Sequence, residues 1–301
     1  MGADRRWCVA LLSAGVALFA SVHSEAYCST TTCDPKSEGA DACEEVDGCL
    51  TGGLPLFWKQ RCVTYSVQQD GSPRLHIAHD DADVLIGNAL RKWTAVDCGG
   101  GTSPSIEIFS TPPVACDRAE YNAHAGNANL WMFRDSAWPY DDDGLTLALT
   151  TITFNVETGE IYDADVEINS AQNSISIGGA RAASDLASIA THEAGHVMGL
   201  SHSPDPRATM FASYQEGSTT LRSLGEDDIE GACATHPPDR ITEPCDDPPE
   251  PRNGFSTDCA PVDDSCSCTA PGSDQPSGSW SLLLLAAGLL AARIRRYRQQ
   301  R

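Results

Sequence analysis

The stretch THEAGHVMGLSHSPDPRATM, Thr191–Met210, places three of the chain's eight histidines at intervals of four and six, with a carboxylate beside the first. On an α-helix, positions i and i+4 share a face. His192 and His196 can therefore point two imidazole nitrogens at one ion about 2.0–2.1 Å away. Gly199 lets the chain leave the helix with a positive φ, and the turned chain brings His202 back as a third ligand. A fourth position stays open for water. Glu193 is placed to take that water's proton, because a metal that lowers the pKa of bound water to about 7 supplies hydroxide at neutral pH. Three nitrogens, an open position and a base imply metal-assisted hydrolysis.

The rest of the chain limits where such chemistry would operate. Its 301 residues suffice for one large domain with appendages. The formal charge of -22, with no basic stretch in the central region, argues against a nucleic-acid partner. Thirteen cysteines lie scattered rather than in the CxxC pairs of a zinc ribbon, and so read as disulfides of an oxidising compartment. Residues 1–26 carry a short basic start, an apolar run and small residues before Tyr27, the pattern of a signal peptide cleaved after Ala26. Loss of Cys8 with it leaves twelve cysteines, an even number. Residues 27–53 form a short Cys-rich segment, and 54–236 is the one stretch able to build a sizeable core. Residues 237–279, rich in Pro, Asp, Gly, Ser and Cys, read as an extended linker.

Residues 280–301 end the sequence with an apolar run, Leu282–Ala292, followed by Arg293, Arg295, Arg296 and Arg298. The run is shorter than the roughly 20 residues of a spanning helix. One reading is a short permanent anchor. The other is a sorting tail: the cysteines, polar spacer, short apolar helix and Arg cluster resemble the MYXO-CTERM surface-sorting signal of myxobacteria, with Cys266 or Cys268 as processing site. Either reading places the chain outside the cytoplasm, in transient or lasting contact with a membrane.

Within 54–236 the pattern predicts a strand at Arg61–Gln68 and a helix carrying Val84, Ile86, Ala89, Leu90 and Trp93 on one stripe, capped by Asp80 or Asp81. A strand at PSIEIFS and two more in LALTTITFNVETGEIYDADVEIN follow, the last two joined at Glu157–Gly159. A second helix runs through SDLASIATHEAGHVMGL, capped by Ser184 or Asp185 and ended by Gly199, and a third lies in GEDDIEGACATH.

Met210 lies eight residues after His202, where the metzincin clan places the methionine turn that floors the zinc. HEAGHVMGLSHS, ATMFASY, LGEDDIEG and ALRKW together resemble the matrixin family of zinc endopeptidases, and TGEIYDADVEIN resembles the strand before its active-site helix. The resemblance implies an α+β metzincin (zincin) fold, a twisted five-stranded mixed sheet with three helices. It also implies one catalytic Zn2+ held by His192, His196 and His202, with Glu193 as general base, in a monomer acting on protein or peptide substrates. The sequence departs from that family in several places. The propeptide switch PRCGxPD is absent, and YCSTTTCDPKSEGADACEEVDGC reads as a disulfide knot. His76, His79 and His124 do not match the family's structural-zinc pattern. Cys62, Cys98, Cys116 and Cys233 imply core disulfides of open connectivity. Asp163, Asp165 and Glu167, or the run Tyr140–Gly144, could supply oxygens to Ca2+. The alternatives are a strand of exposed alternating carboxylates and a solvated loop. A catalytically inactive surface-binding module with the same fold is the competing function, and the intact ligands and base argue against it.

Overall fold

The computed structural model describes residues 27–260, apart from 38, 40, 41, 141–144, 179–182, 241–244, 246 and 247, and the backbone of 294–297. The signal peptide, Cys266, Cys268, the apolar run before the Arg cluster and most of the YDDDG loop lie outside the described residues. No helix among them is long and apolar enough to cross a membrane.

A small hairpin, β1 (Glu44–Val46) and β2 (Cys49–Thr51), precedes the main body. The body runs β3 (Cys62–Val67), α1 (His79–Thr94), β4 (Glu107–Ser110), β5 (Leu130–Phe133), β6 (Ala148–Asn155) and β7 (Ile161–Ile168). Then come the two-residue strands β8 (Ile175–Ser176) and β9 (Ser184–Asp185), α2 (Leu186–Val197), a 3-10 turn at Thr220–Arg222 and α3 (Glu226–Thr235). The five main strands lie in the order β6-β7-β5-β3-β4, all parallel except that β6 runs antiparallel to β7. The backbone of β10 (Ile294–Tyr297) lies parallel to β6 along Ile152–Asn155. Three helices on a five-stranded mixed sheet is the architecture the resemblance implied.

Both long helices are placed by apolar stripes. α1 buries Ala82, Ile86, Ala89, Leu90 and Trp93, a spacing of three and four, whereas Val84 falls out of phase and is exposed. Its cap also differs from expectation: the N-cap position is Ala78 and the helix starts at His79, so Asp80 and Asp81 fall in the first turn, where carboxylates favour the helix dipole. α2 is buried on nearly all sides because it runs between the sheet and α1. Gly195 permits that approach: a Cβ there would lie 2.7 Å from the Trp93 ring and collide with Met210 Sδ. Strand β5, four consecutive buried residues, was not predicted from periodicity, since a short run buried on both faces carries no alternation.

Two sequence expectations are corrected. Asp163, Asp165 and Glu167 do alternate along β7, but all are buried, not exposed. The other face of the strand, Ala164, Val166 and Ile168, enters the core, and the segment 117–140 covers the carboxylates. Asp165 accepts the backbone N–H groups of Leu130 and Glu120, at 2.9 and 2.8 Å. Glu167 accepts from Arg134 and from the Tyr140 hydroxyl. Asp165 and Glu167 thus spend their oxygens on protein donors rather than on solvent.

The second correction concerns the linker. Its described residues include 248–260, which lie along the catalytic body: Asn127 pairs with Phe255, and Ser256 N donates to Asn127 O. Cys245 and Cys259 form disulfides with Cys62 and Cys116, while Cys98 pairs with Cys233. A polar composition predicts that a segment builds no core of its own; it does not predict that cross-links will fasten it to another.

Candidate active site

The active-site helix is fixed at both ends. At its start, Asp185 caps α2 by accepting from Ser188 N, and Arg222 forks onto the same carboxylate at 2.6 and 2.8 Å. Arg222 and these hydrogen bonds hold the Asp185 carboxyl below its ordinary range against the effect of burial. At its end the last carbonyls would be orphaned. Trp58 Nε1 donates to Val197 O at 2.7 Å, and His236 Nε2 lies 2.9 Å from Met198 O.

Gly199 then turns the chain with φ +96°, a conformation that side chains with a Cβ rarely adopt. A Cβ would also stand 2.6 Å from Leu56 O. The turn brings His202 back over the helix. His196 Nε2 and His202 Nε2 lie 3.3 Å apart, and the ligand atoms of His192, His196 and His202 all fall within 4.8 Å of one another.

The donors themselves test the fit to a metal. His192 Nδ1 lies 2.7 Å from Thr209 O and His196 Nδ1 2.9 Å from Leu200 O. A carbonyl can only accept, so each Nδ1 carries the proton and each Nε2 presents a lone pair. Two nitrogens bound to one tetrahedral ion at about 2.05 Å stand about 3.3 Å apart, the separation found between His196 and His202. Burial, followed by the neighbouring imidazoles, pulls His196 well below the usual histidine range and His202 down to about 4. Both are therefore neutral at pH 7, the form that binds a metal. The set fits zinc.

Glu193 is buried beside them, and burial raises its carboxyl above the usual range against the opposing pull of His192 and Thr150. Thr150, on β6, donates its hydroxyl to Glu193 Oε2 at 2.6 Å. This contact joins β6 to the helix and was not foreseen: it links residues 43 apart in sequence, and Thr150 sits in a run of threonines with nothing to mark it.

Met210 is buried under the triad and touches the helix at Gly195. Its turn is held by Asp228, whose two oxygens accept Thr209 N at 2.7 Å and Met210 N at 3.0 Å. Asp228 also accepts Gly225 N at the start of α3. Ser203 N donates to Met210 O, closing the loop from His202 back to the turn. In front of the triad opens a cavity of about 500 Å³, lined among others by Leu147, Ile189, Phe211, Tyr214, Glu216 and Leu221.

With this geometry in hand, the sequence profile of the matrixin family matches residues 57–236. The chain belongs to the matrixin family. It is 28% identical over 186 residues to matrix metalloproteinase-C of Caenorhabditis elegans, covering 60% of this chain and 29% of that protein. Human matrilysin is 28% identical over 177 residues, 58% of this chain and 56% of its own. Metalloendoproteinase 1 of Glycine max is 40% identical over 170 residues, 56% of this chain and 48% of its own. The chain thus spans less than two thirds of the length of these matrixin relatives.

Thr150 is a positioning residue for Glu193. Hydrogen bonds to charged groups contribute about 1.5–3 kcal/mol, so Thr150→Val, which keeps the volume and loses the hydroxyl, should lower kcat by about ten-fold or more. Zinc content should stay at the parent's level and Thr150→Ser should recover most of the rate. Equal rates for the Val variant and the parent would remove the hydroxyl from the account.

Proposed function

We propose that this matrixin is an exported zinc-dependent endopeptidase acting on protein or peptide substrates. The observation that carries the reading is the pair of Nε2 lone pairs 3.3 Å apart, with a buried carboxylate beside them at the wall of an open cleft. Family membership supports the same activity. Zinc, when bound, supplies Lewis-acid polarisation of a water and of the peptide carbonyl.

The chain's own residues do the rest. With Oε2 held by Thr150, Glu193 uses Oε1 to take the proton of the attacking water and delivers it to the departing nitrogen as the C–N bond breaks. The Leu147–Thr150 part of β6 borders the cleft, where a substrate in extended form can add as a further strand. The cavity beside the triad, walled by Ile189, Tyr214 and Leu221, receives the side chain next to the scissile bond. The catalytically inactive binding module is disfavoured, because ligands and base are all present and mutually placed.

Export and surface sorting belong to the same proposal. They rest on the composition of residues 1–26 and 261–301. Five disulfides among the described residues agree with an oxidising compartment.

Glu193→Gln keeps the shape and a hydrogen bond but removes the base. Proteolysis of casein should fall by about 10² to 10⁴, the range general acid-base catalysis contributes, with fold and zinc content near the parent's. Undiminished cleavage would take Glu193 out of its role. For the tail, mass spectrometry of surface-extracted protein should find Tyr27 first and no peptide beyond the Cys266/Cys268 region. A mature chain that still ends at Arg301 would identify a permanent anchor instead.

A further inference from the structure

The N-terminal Cys-rich segment does not hang free. Ser29 forms an antiparallel bridge with Leu200, inside the turn that carries His202. Thr30 N donates to Gly199 O at 2.8 Å, and Ser201 N donates to Cys28 O at 2.7 Å. Thr30 Oγ1 donates to Leu200 O at 2.9 Å, the same carbonyl that accepts His196 Nδ1. On its other side the segment is held by Leu56 N, which donates to Thr30 O, and by Thr32 N, which donates to Leu54 O. It is thus a middle strand between residues 54–56 and the metal-binding loop.

The segment is also fastened by disulfides. Cys28 and Cys33 are both buried, and the bond from Cys28 to Cys49 ties the start of the segment to the β1–β2 hairpin. Gly48, in that hairpin, rests on Pro204, close enough that a Cβ would meet the proline at 3.0 Å. One unit therefore grips the loop at Gly199–Ser201, before His202, and again at Pro204, after it. The second disulfide, Cys33–Cys43, closes the other end of the segment.

We propose that this disulfide-closed segment is a positioning strap that holds His202, and through Leu200 O also His196, in the geometry that retains the metal. The proposal rests on the reading of these histidines as zinc ligands. Its physical basis is the four-residue loop Gly199–His202, which has no regular structure of its own. The backbone groups of Gly199 and Ser201 find partners in the strap, so the strap sets where the loop can go. Cys28–Cys49 fastens the start of the strap to the hairpin. The strap offers no free thiol to the metal: every cysteine among the described residues is in a disulfide. It supports the site rather than capping it.

The test is the rate at which zinc leaves the full mature chain when an excess of chelator is added, measured below the melting point of every variant. Outer-shell partners of metal ligands set affinity by about 10–100-fold, so Cys28→Ser with Cys49→Ser should release zinc about ten-fold faster or more. Cys33→Ser with Cys43→Ser should stay within about two-fold of the parent, since it removes a disulfide of the same segment without touching the loop. Thr30→Val, which loses only the hydroxyl bond to Leu200 O, should shift release in the same direction by less. Parent-like release from a folded Cys28→Ser/Cys49→Ser protein, or an equal rise in the Cys33/Cys43 variant, would overturn the strap. Should the first variant not fold, parent-like release from Thr30→Val overturns it instead. A parent chain that held no zinc at all would overturn the ligand reading and the strap with it, which separates the two failures.

Discussion

The site depends on one turn. α2 must end between His196 and His202, and the chain must reverse there within a few residues so that the third imidazole returns to the face of the first two. Only a residue at ease with φ +96° and without a Cβ can make that reversal against Leu56 O. Once made, the turn spends its backbone polar groups on the site. Leu200 O orients His196, Gly199 O and Ser201 N pair with the N-terminal segment, and Met198 O meets His236. A substitution at Gly199 would disturb all of these contacts together, because they share four consecutive residues.

A second constraint comes from the far side. Asp228 accepts three backbone N–H groups, two from the methionine turn and one from the start of its own helix. A carboxylate takes several such bonds more strongly than a neutral acceptor does. α3 thereby fixes Thr209, and Thr209 O fixes the tautomer of His192. Each of the first two histidines is thus oriented by a carbonyl that belongs to a separately anchored loop: His192 through α3 and the methionine turn, His196 through the glycine turn and the N-terminal segment.

Much of this was legible in the sequence, and what was not legible has a common cause. The ligand spacing, Gly199, Met210 and the cap at Asp185 are local signals, and the structure places those residues as a helix of period 3.6 and a glycine exit require. The α1 stripe was read correctly apart from Val84. Contacts between distant residues left no trace: the Thr150 hydroxyl on Glu193, the pairing of Cys62 and Cys116 with cysteines of an apparent linker, and the N-terminal strand beside Leu200. The carboxylates of β7 looked solvent-facing because their alternation is the pattern of a half-exposed strand. They are buried, and residues 120–140, β5 among them, bring amides, Arg134 and Tyr140 to Asp165 and Glu167. Periodicity reports which residues share a face. It is silent on what covers that face.

The central claim, that these three imidazoles hold a zinc ion, is tested most directly by anomalous diffraction at the zinc edge from crystals of the full chain purified without chelator. The account predicts one strong peak per chain, about 2.0–2.1 Å from Nε2 of His192, His196 and His202, with its fourth position facing the cleft. A site empty of metal under these conditions, or a zinc held elsewhere on the chain with the triad unligated, would contradict it.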